Sequence, residues 1–295
     1  MKKWLTLLLI ATFALVLAAC GTADDEGAQG NGAATNETAD ENNEAANEGE
    51  KTTLVVGASN VPHAEILEQA QPLLAEKGIE LEIEEYTDYI FPNQDLDNGT
   101  LDANYFQHIP YLEAQMEEHG YGFVNAGGIH IEPIGVYSQK HESLQDLPDG
   151  AVILMSNSIP DHGRILSMLE NEGLIKLDPE VEKTKAEIKD IIENDKNLEF
   201  EYDYEAALLP QLYQSGEGDA VLINSNYAID NGINPVEDAI ALENEQSPYV
   251  NVIAVRKGDE NSEAIQALIE VLRSEEIQNF ILEEYEGAVV PVAGE

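Results

Sequence analysis

The chain has 295 residues, and its 14 Lys and Arg residues against 58 Asp and Glu residues give a formal net charge of −44 at pH 7. Because 43% of the residues are hydrophobic, the chain can build a core, which excludes disorder throughout. So few cations cannot neutralise many phosphates, and this argues against nucleic acid or an anionic membrane surface as an electrostatic partner.

The first predicted element is a secretory signal peptide over residues 1–19. Two lysines precede an apolar stretch from Trp4 to Ala19, which is short for a membrane-spanning helix of about 20 apolar residues. The stretch ends in Leu-Ala-Ala-Cys-Gly, which is similar to a bacterial lipobox in which Cys20 would be acylated. The alternative is a chance small-residue cleavage site. Since Cys20 is the only cysteine, we predict a lipid anchor there and no disulfide.

A flexible acidic tether is predicted over residues 20–51, behind the lipid anchor. Residues 21–50 contain no aromatic or branched aliphatic side chain. Such a segment cannot bury enough apolar surface to offset the entropy that ordering would cost. Its negative charges should keep it extended and away from anionic lipid.

From Thr52 onward, short apolar runs alternate with segments of helical period, which predicts an α/β fold. The predicted strands are Leu54–Gly57, Leu81–Glu84, Leu101–Asn104, Ile129–Ser138, Ala151–Met155, Leu198–Tyr202, Ala220–Asn224 and Val250–Arg256. The predicted helices are Pro62–Lys77, Ile109–His119, Arg164–Glu172, Glu182–Glu193, Glu205–Gln214, Ser262–Arg273 and Glu275–Tyr285.

The length and a weak internal echo favour two lobes of similar plan. Residues 99–105 and 216–227 each place a Gly turn before an Asp-Ala pair that opens a short strand, and each ends in Asn and an aromatic residue. Echoes this short also arise by chance. If the echo is real, two polar strand ends occupy equivalent places, where open α/β sheets bind ligands.

Arginine is rare in this chain, which has only Arg164, Arg256 and Arg273. Arg164 follows the apolar run 151–155 and a polar loop, at the predicted start of a helix. A guanidinium fork beside helical N–H groups suits a carboxylate ligand. The alternative is a surface ion pair of little energetic value. We expect structural roles for the other two arginines.

A second polar and aromatic cluster runs from Asp102 to His108, with Tyr86 and Tyr89 upstream. Aromatic faces with a polar tip suit an amphipathic ligand such as a thioether. The alternative is a set of ordinary core aromatics with one satisfied histidine. Likewise, Asn224 and Asn226 could bind a ligand or could cap the next helix.

The sequence shows no sign of catalysis or of a metal site. Its six histidines lack metal-ligand spacing, and no nucleophile elbow, phosphate-binding loop or dinucleotide-binding glycine motif is present. With 58 carboxylates, no particular pair is informative. We therefore predict no enzyme activity, no metal and no cofactor.

Several segments carry a family resemblance, in order along residues 52–292. They are Val56–Ala58, Pro62–Leu67, Tyr86–Tyr89, Pro92–Asn93, Leu101–Leu112, His130–Ser138, Gly163–Arg164, Asn224–Ala228 and Ser247–Val252. The Asp-Ala-Asn-Tyr-Phe-Gln-His block at 102–108 is the most specific. Together with the lipobox, these segments closely resemble the methionine-binding lipoproteins of the NlpA type.

The resemblance implies a two-lobed periplasmic-binding-protein fold of the second type, with a ligand cleft between the lobes. Lobe one is expected at 52–132 plus 228–295, and lobe two at 133–227. The implied role is that of an extracytoplasmic receptor of an ABC importer that captures methionine. The implied partners are methionine, the permease and ATPase subunits of the importer, and the cell membrane through the lipid on Cys20, without nucleic acid.

The family's ligand residues carry over onto matching positions in this chain. By resemblance, the side-chain pocket around the thioether would be lined by Tyr89, Phe106 and His108. Arg164 would bind the α-carboxylate, and Asn224 would hold the backbone end of the amino acid. The secondary candidates for ligand binding are Asn104, Tyr105, His130, Asn157 and Asn226.

The loop before Arg164 departs from the family pattern. The family usually reads Asn-Asp-Pro-x-Asn-Gly-Gly-Arg, whereas residues 157–164 read Asn-Ser-Ile-Pro-Asp-His-Gly-Arg, so a Gly and an Asn are replaced. The ligand thus stays open among L-methionine, D-methionine, a methionine-containing dipeptide and another small apolar amino acid. A surface adhesin or antigen on the same scaffold and a metal-binding receptor also stay open.

Overall fold

A computed structural model describes residues 52–244 and 247–292. The predicted signal peptide, the lipidation site at Cys20 and the tether lie outside the described residues. Within the described ranges, no helix combines the length and the apolar character needed to cross a membrane.

Helices and strands alternate along most of the described chain. The helices are α1 Glu65–Glu76, α2 Phe91–Asn98, α3 Ile109–His119, α4 Ile159–Asn171, α5 Leu209–Gln214, α6 Ser225–Asp230, α7 Pro235–Asp238, α8 Glu263–Leu272 and α9 Glu275–Tyr285. The strands are β1 Thr52–Ser59, β2 Ile79–Tyr86, β3 Ala103–His108, β4 Phe123–Ile131, β5 Gly135–Tyr137, β6 Val152–Ser156, β7 Lys176–Leu177, β8 Ile191–Glu193, β9 Glu199–Tyr204, β10 Ala220–Ile223, β11 Ala241–Leu242, β12 Val250–Arg256 and β13 Val290–Pro291.

The first sheet has six strands in the order β13, β4, β12, β3, β1, β2. Strand β1 runs parallel to β2 and β3, whereas β12 is antiparallel to β3 and β4. Leu54, Val56 and Ala58 of β1 lie in one buried cluster with residues of α1, α8 and α9. Leu96 of α2 and Leu112 of α3 belong to a second cluster with β12. Helices therefore cover both faces, as expected for a sheet with parallel strands.

The second sheet has five strands in the order β11, β5, β10, β6, β9. Strand β10 is parallel to β6 and antiparallel to β5. Ile153 and Met155 of β6 pack in a cluster with α4, while Leu154 between them packs in a cluster with α5 and α6. Because successive strand side chains point to opposite faces, both faces of β6 are buried.

The chain passes between the sheets at two places. Strand β4 of the first sheet is followed by β5 of the second, and β10 leads through α6, α7 and β11 to β12 of the first. Strand β11 pairs with the second sheet although it follows residue 228. The lobe boundaries at 52–132 plus 228–295 and at 133–227 stay a proposal.

Several predicted elements are confirmed residue for residue, namely the helices α3 and α9 and the strand β12. Helix α4 begins earlier than predicted, at Ile159, with Pro160 in its first turn. The predicted strand Ile129–Ser138 is wrong as a single element. It is split around Pro133 into β4 and β5, since proline cannot donate to a strand ladder.

The predicted helix Glu182–Glu193 is wrong. The segment forms two short turns, Lys183–Lys185 and Ile188–Asp190, followed by strand β8. Glu187 and Asp190 accept hydrogen bonds from each other's backbone N–H groups in a capping box, which closes the second turn locally. Local side-chain bonds thus replace the continuous helix that the apolar spacing suggested.

Candidate functional site

A small cavity lies between the two sheets. Residues from both sides of the molecule line it, and they comprise Tyr89, Phe106, Gln107, His108, Tyr111, Glu132, Asp161, Arg164, Asn224, Ser225, Asn226 and Asn251. The structure thus brings the five main predicted ligand residues together around one cavity.

One wall of the cavity is aromatic. The ring centroids of Tyr89 and Phe106 lie 6.1 Å apart, and that of Tyr111 lies 6.0 Å from Tyr89 and 6.1 Å from Phe106. Tyr89 is held in place because its hydroxyl donates to Asn226 Oδ1 at 2.7 Å and its carbonyl accepts from the Tyr111 hydroxyl at 3.0 Å. A thioether packs well against the edges and faces of such rings.

Another part of the cavity lining is polar and charged, and His108 joins it to the aromatic wall, because its ring centroid lies 6.1 Å from that of Tyr111. Arg164 Nη2 lies 2.8 Å from Asp161 Oδ1, and His108 Nε2 lies 3.0 Å from the same oxygen. Asn224 Nδ2 faces Asp161 Oδ2 at 3.4 Å. Burial alone would raise the pKa of Asp161, but Arg164 and the hydrogen bond with His108 hold it well below its usual range. Asp161 is therefore a buried carboxylate anion.

Arg164 is enclosed on several sides by groups that suit a cation. Its guanidinium carbon lies 5.0 Å from the centre of the Tyr249 ring, and its Nη1 lies 3.4 Å from Glu243 Oε2. Burial opposes the charge, yet Asp161 and Glu243 raise the pKa of Arg164 above its ordinary value. Arg164 Nε and Asn224 Oδ1 are buried and lack a hydrogen-bond partner within the described part of the chain.

Helix α4 places the charged pair in the cavity. Asp161 and Arg164 stand three residues apart in its first two turns, so they lie on one face of the helix. Gly163 between them lets the helix approach the turn at 183–185. A Cβ on Gly163 would lie 2.3 Å from the Lys183 carbonyl oxygen, which no side chain tolerates.

A buried polar cluster supports the cavity where the chain leaves the first sheet. Glu132 Oε1 lies 2.7 Å from His130 Nε2 and 3.1 Å from His63 Nε2, and His63 also faces Asn251 Oδ1 at 3.1 Å. Burial lowers the pKa of His63 to about 4 and that of His130 to about 3, and it raises the pKa of Glu132. Both histidines are therefore neutral at pH 7.

The cluster of His63, His130 and Glu132 also has donor types that a metal ion could use, and all three residues are buried. The sequence gives no sign of it, because these residues are brought together by the fold rather than by motif spacing. In the structure, hydrogen bonds already join their converging atoms.

The secondary candidates are placed differently. Asn226 lines the cavity. Asn104 lies in a buried amide network, donating to Asn93 Oδ1 at 2.9 Å. The Tyr105 hydroxyl bonds to His130 Nδ1, and neither side chain lines the cavity. Asn157 lies in an open groove next to the cavity. Only one of the five thus adjoins the empty space.

Several lining or supporting residues were not predicted as site residues from the sequence. Tyr111 follows the predicted cluster by one helical turn, so helical spacing could have indicated it. Glu132 and Asn251 could not be found this way, since they reach the cavity through the pairing of β12 with β3 and β4. Tyr249 and Glu243 contact Arg164 from a distant part of the sequence.

The two sheets and their helices form two α/β halves, and residues from both line the cavity. This is the arrangement of a two-lobed substrate-binding protein of the periplasmic type, and similar solved structures agree with it. Residues 54–293 match the NlpA lipoprotein family. The chain belongs to this family, which confirms the resemblance and the fold predicted from the sequence.

Relatives with known names and structures agree. Aligned over 295 residues, the chain is 48% identical to the methionine-binding lipoprotein MetQ of Bacillus subtilis, and the alignment covers 99% of this chain and 100% of the relative. A crystal structure of a putative methionine-binding lipoprotein from Bacillus subtilis matches with 52% identity and a TM-score of 0.80, covering 82% of this chain and 98% of that chain. The structure of a nutrient-binding protein from Burkholderia cenocepacia bound to methionine matches with 39% identity and a TM-score of 0.76, and the match covers 81% of this chain and 99% of that chain.

Proposed function

We propose that this chain is the extracytoplasmic substrate-binding lipoprotein of an ABC importer and that it captures methionine. The observation that carries the proposal is the cavity whose lining combines an aromatic wall with a buried arginine. The relatives support it, because one is named a methionine-binding lipoprotein and another was solved with methionine bound. The partners are the permease and ATPase subunits, and the chain performs no catalysis.

The proposed location is the extracytoplasmic face of the cell membrane. The family is a lipoprotein family, and the lipobox places the anchor on Cys20. The excess of acidic residues does not favour electrostatic attraction to anionic lipid, so we propose the lipid on Cys20 as the membrane attachment.

Ligand capture follows from the two kinds of lining. The α-carboxylate pairs with the Arg164 guanidinium, whose Nε–H has no hydrogen-bond partner among residues 52–244 and 247–292. The backbone end of the ligand lies against Asn224, while the thioether packs on Tyr89 and Phe106 beside His108. Because these residues come from both sides of the cavity, a ligand that contacts all of them favours the closed form.

Isothermal titration of a protein comprising residues 21–295 with L-methionine tests the proposal. Replacing Arg164 by Lys keeps the charge but loses the planar fork, so we expect affinity to fall by about tenfold to a hundredfold, as for one lost charged hydrogen bond. The matched control is Arg273→Lys, because Arg273 donates to the Gly128 carbonyl away from the cavity. Equal affinities in both variants would contradict the carboxylate role of Arg164.

A thermal-shift panel identifies the ligand. A tight ligand raises the unfolding midpoint by mass action, so L-methionine, D-methionine, methionyl dipeptides and small apolar amino acids can be ranked on one protein sample. We expect L-methionine to give the largest shift. A panel without any shift would remove the basis of the proposal and favour an adhesin on this scaffold.

A further inference from the structure

Asp161 lies among the polar residues that line the cavity. Its side chain is 1% exposed, and its carboxylate contacts Arg164 on its own helix, His108 at the end of β3 and Asn224 after β10. Burying a carboxylate costs desolvation free energy, which its partners must offset. A residue so costly to bury at a ligand cavity requires an explanation beyond packing.

The protein charges in this part of the cavity lining are unbalanced. The one guanidinium of Arg164 faces two carboxylates, those of Asp161 and Glu243. The carboxylate of Glu132 also adjoins the cavity. A ligand with only a carboxylate would bring a further negative charge beside these, whereas a ligand that also carries a cationic group would offset it.

The unpartnered polar atoms also suit a ligand that carries both a carboxylate and an ammonium group. Arg164 Nε is a buried donor without a partner, and Asn224 Oδ1 is a buried acceptor without a partner, within the described residues. The amide of Asn224 is oriented by Asp161, because a carboxylate accepts and so faces the amide nitrogen. These residues line the cavity, so they offer one unpartnered donor for a carboxylate and one unpartnered acceptor, beside the Asp161 carboxylate, for an ammonium group.

We propose that Asp161 is the counter-ion of the ligand's α-ammonium group and that it restricts the site to ligands with a free α-amino group. This inference rests on the proposed function, in which Arg164 takes the α-carboxylate. Free amino acids and peptides with an unmodified N-terminus fit this chemistry. N-acylated and des-amino analogues do not, since each brings a further carboxylate beside Asp161 without the cationic group that would offset it.

A different role for Asp161 makes the opposite prediction. If the carboxylate of Asp161 served only to occupy Arg164 in place of a ligand, it would compete with the ligand carboxylate. Removing its charge would then strengthen the binding of every carboxylate ligand. An ammonium counter-ion instead strengthens only the binding of ligands that carry the ammonium group.

The experiment measures the affinity of L-methionine and of 4-(methylsulfanyl)butanoate, which is methionine without its amino group. For the unsubstituted protein we expect the des-amino compound to bind at least about tenfold more weakly, as for one lost charged hydrogen bond. In Asp161→Asn, which keeps the shape of the side chain, we expect weaker methionine binding and a smaller ratio between the two ligands. N-acetyl-L-methionine should behave like the des-amino compound.

Glu170→Gln is the matched control, because it removes a carboxylate from the same helix, one that pairs with Lys183 and neither contacts Arg164 nor lines the cavity. We expect it to leave the ratio between the two ligands as in the unsubstituted protein. An Asp161→Asn protein with equal or tighter methionine affinity, or with an unchanged ratio, would overturn the inference.

The measurement on the unsubstituted protein stays informative even if Asp161→Asn does not fold. Equal affinity for methionine and its des-amino analogue there would by itself exclude an ammonium counter-ion. Failure of the unsubstituted protein to bind methionine at all would refute the proposed function instead. The two failures are therefore distinguishable.

Discussion

At the scale of single residues, the sequence indicated only some of the residues that line the cavity. Arg164 could be found because arginine is rare in this chain, and Phe106 and His108 because they belong to one specific block. Glu132 and Asn251 could not, since ordinary residues become site residues only through strand pairing. The contact of Asp161 with Arg164 depends on the helix beginning earlier than its apolar pattern suggested.

One prediction at this scale concerns His63, which is 1% exposed. Burial lowers its pKa from 6.5 to about 4, so between these values the unfolded chain binds a proton that the folded protein does not. The contribution of His63 to the free energy of unfolding is therefore complete above pH 6.5. It decreases by at most about 3 kcal/mol as the pH falls toward 4. In His63→Gln, the free energy of unfolding should fall less between pH 7 and 4.5.

Denaturant unfolding at several pH values measures this difference. Because the raised pKa of Glu132 acts in the opposite direction, only the comparison between variants isolates the histidine. The exposed His119, replaced by Gln, is the matched control and should leave the pH dependence as in the unsubstituted protein. Identical pH slopes in the His63 variant and the unsubstituted protein would disprove the assignment.

At the scale of elements, predictions succeeded where one pattern governed a whole segment. Helices α3 and α9 begin and end as their apolar spacing predicts, and β12 is a buried run of branched residues. The helix predicted over residues 182–193 was wrong because the structure of this segment depends on contacts with α4 and on local caps, which a periodic pattern does not encode. The prediction of one strand across Pro133 was wrong because proline lacks the backbone N–H that strand pairing needs.

Helix α4 provides a prediction at this scale. A methyl group on Gly163 would meet backbone atoms of Lys183 and Thr184, which cannot move aside as a flexible side chain can. We expect Gly163→Ala to destabilise the protein by about 1–3 kcal/mol and to weaken methionine binding, because the helix that carries Arg164 must shift.

Thermal unfolding and titration together check this expectation. Gly122 is the matched control, since a Cβ there meets nothing within 4 Å and its φ is not in the left-handed region. Gly122→Ala should leave ligand affinity unchanged. A Gly163→Ala protein with unchanged stability would show that the turn at 183–185 yields, contrary to our reading of the contact.

At the scale of the whole molecule, the sequence shows that the acidic excess is not concentrated in residues 21–50. Residues 21–50 hold nine of the 58 acidic residues, so most lie on the folded body, where a zwitterionic ligand does not require them. We attribute them to an exposed surface adapted to a saline or alkaline exterior. The arrangement of two sheets and the location of the cavity needed long-range pairing, which composition does not contain.

This charge leads to a prediction for the protein comprising residues 21–295. A large excess of one sign destabilises the compact state through self-repulsion, and salt screens it over distances of about 10 Å at 0.1 M and 3 Å at 1 M. The midpoint of thermal unfolding should therefore rise from 0.05 to 1 M sodium chloride. Sucrose at matched osmolality is the control, and a midpoint that is flat or falls with salt would contradict the expectation.

The bond between His108 and Asp161 has a consequence for energy use in the cell. His108 ends a strand of the first sheet, whereas Asp161 starts a helix on the second, so their 3.0 Å contact joins the two halves of the folded body. The bond from the Tyr89 hydroxyl to Asn226 Oδ1 joins them as well. Under the proposed function, such protein contacts supply part of the free energy of closure, and an importer that responds to closed receptors would hydrolyse ATP at a background rate that these contacts together help to set.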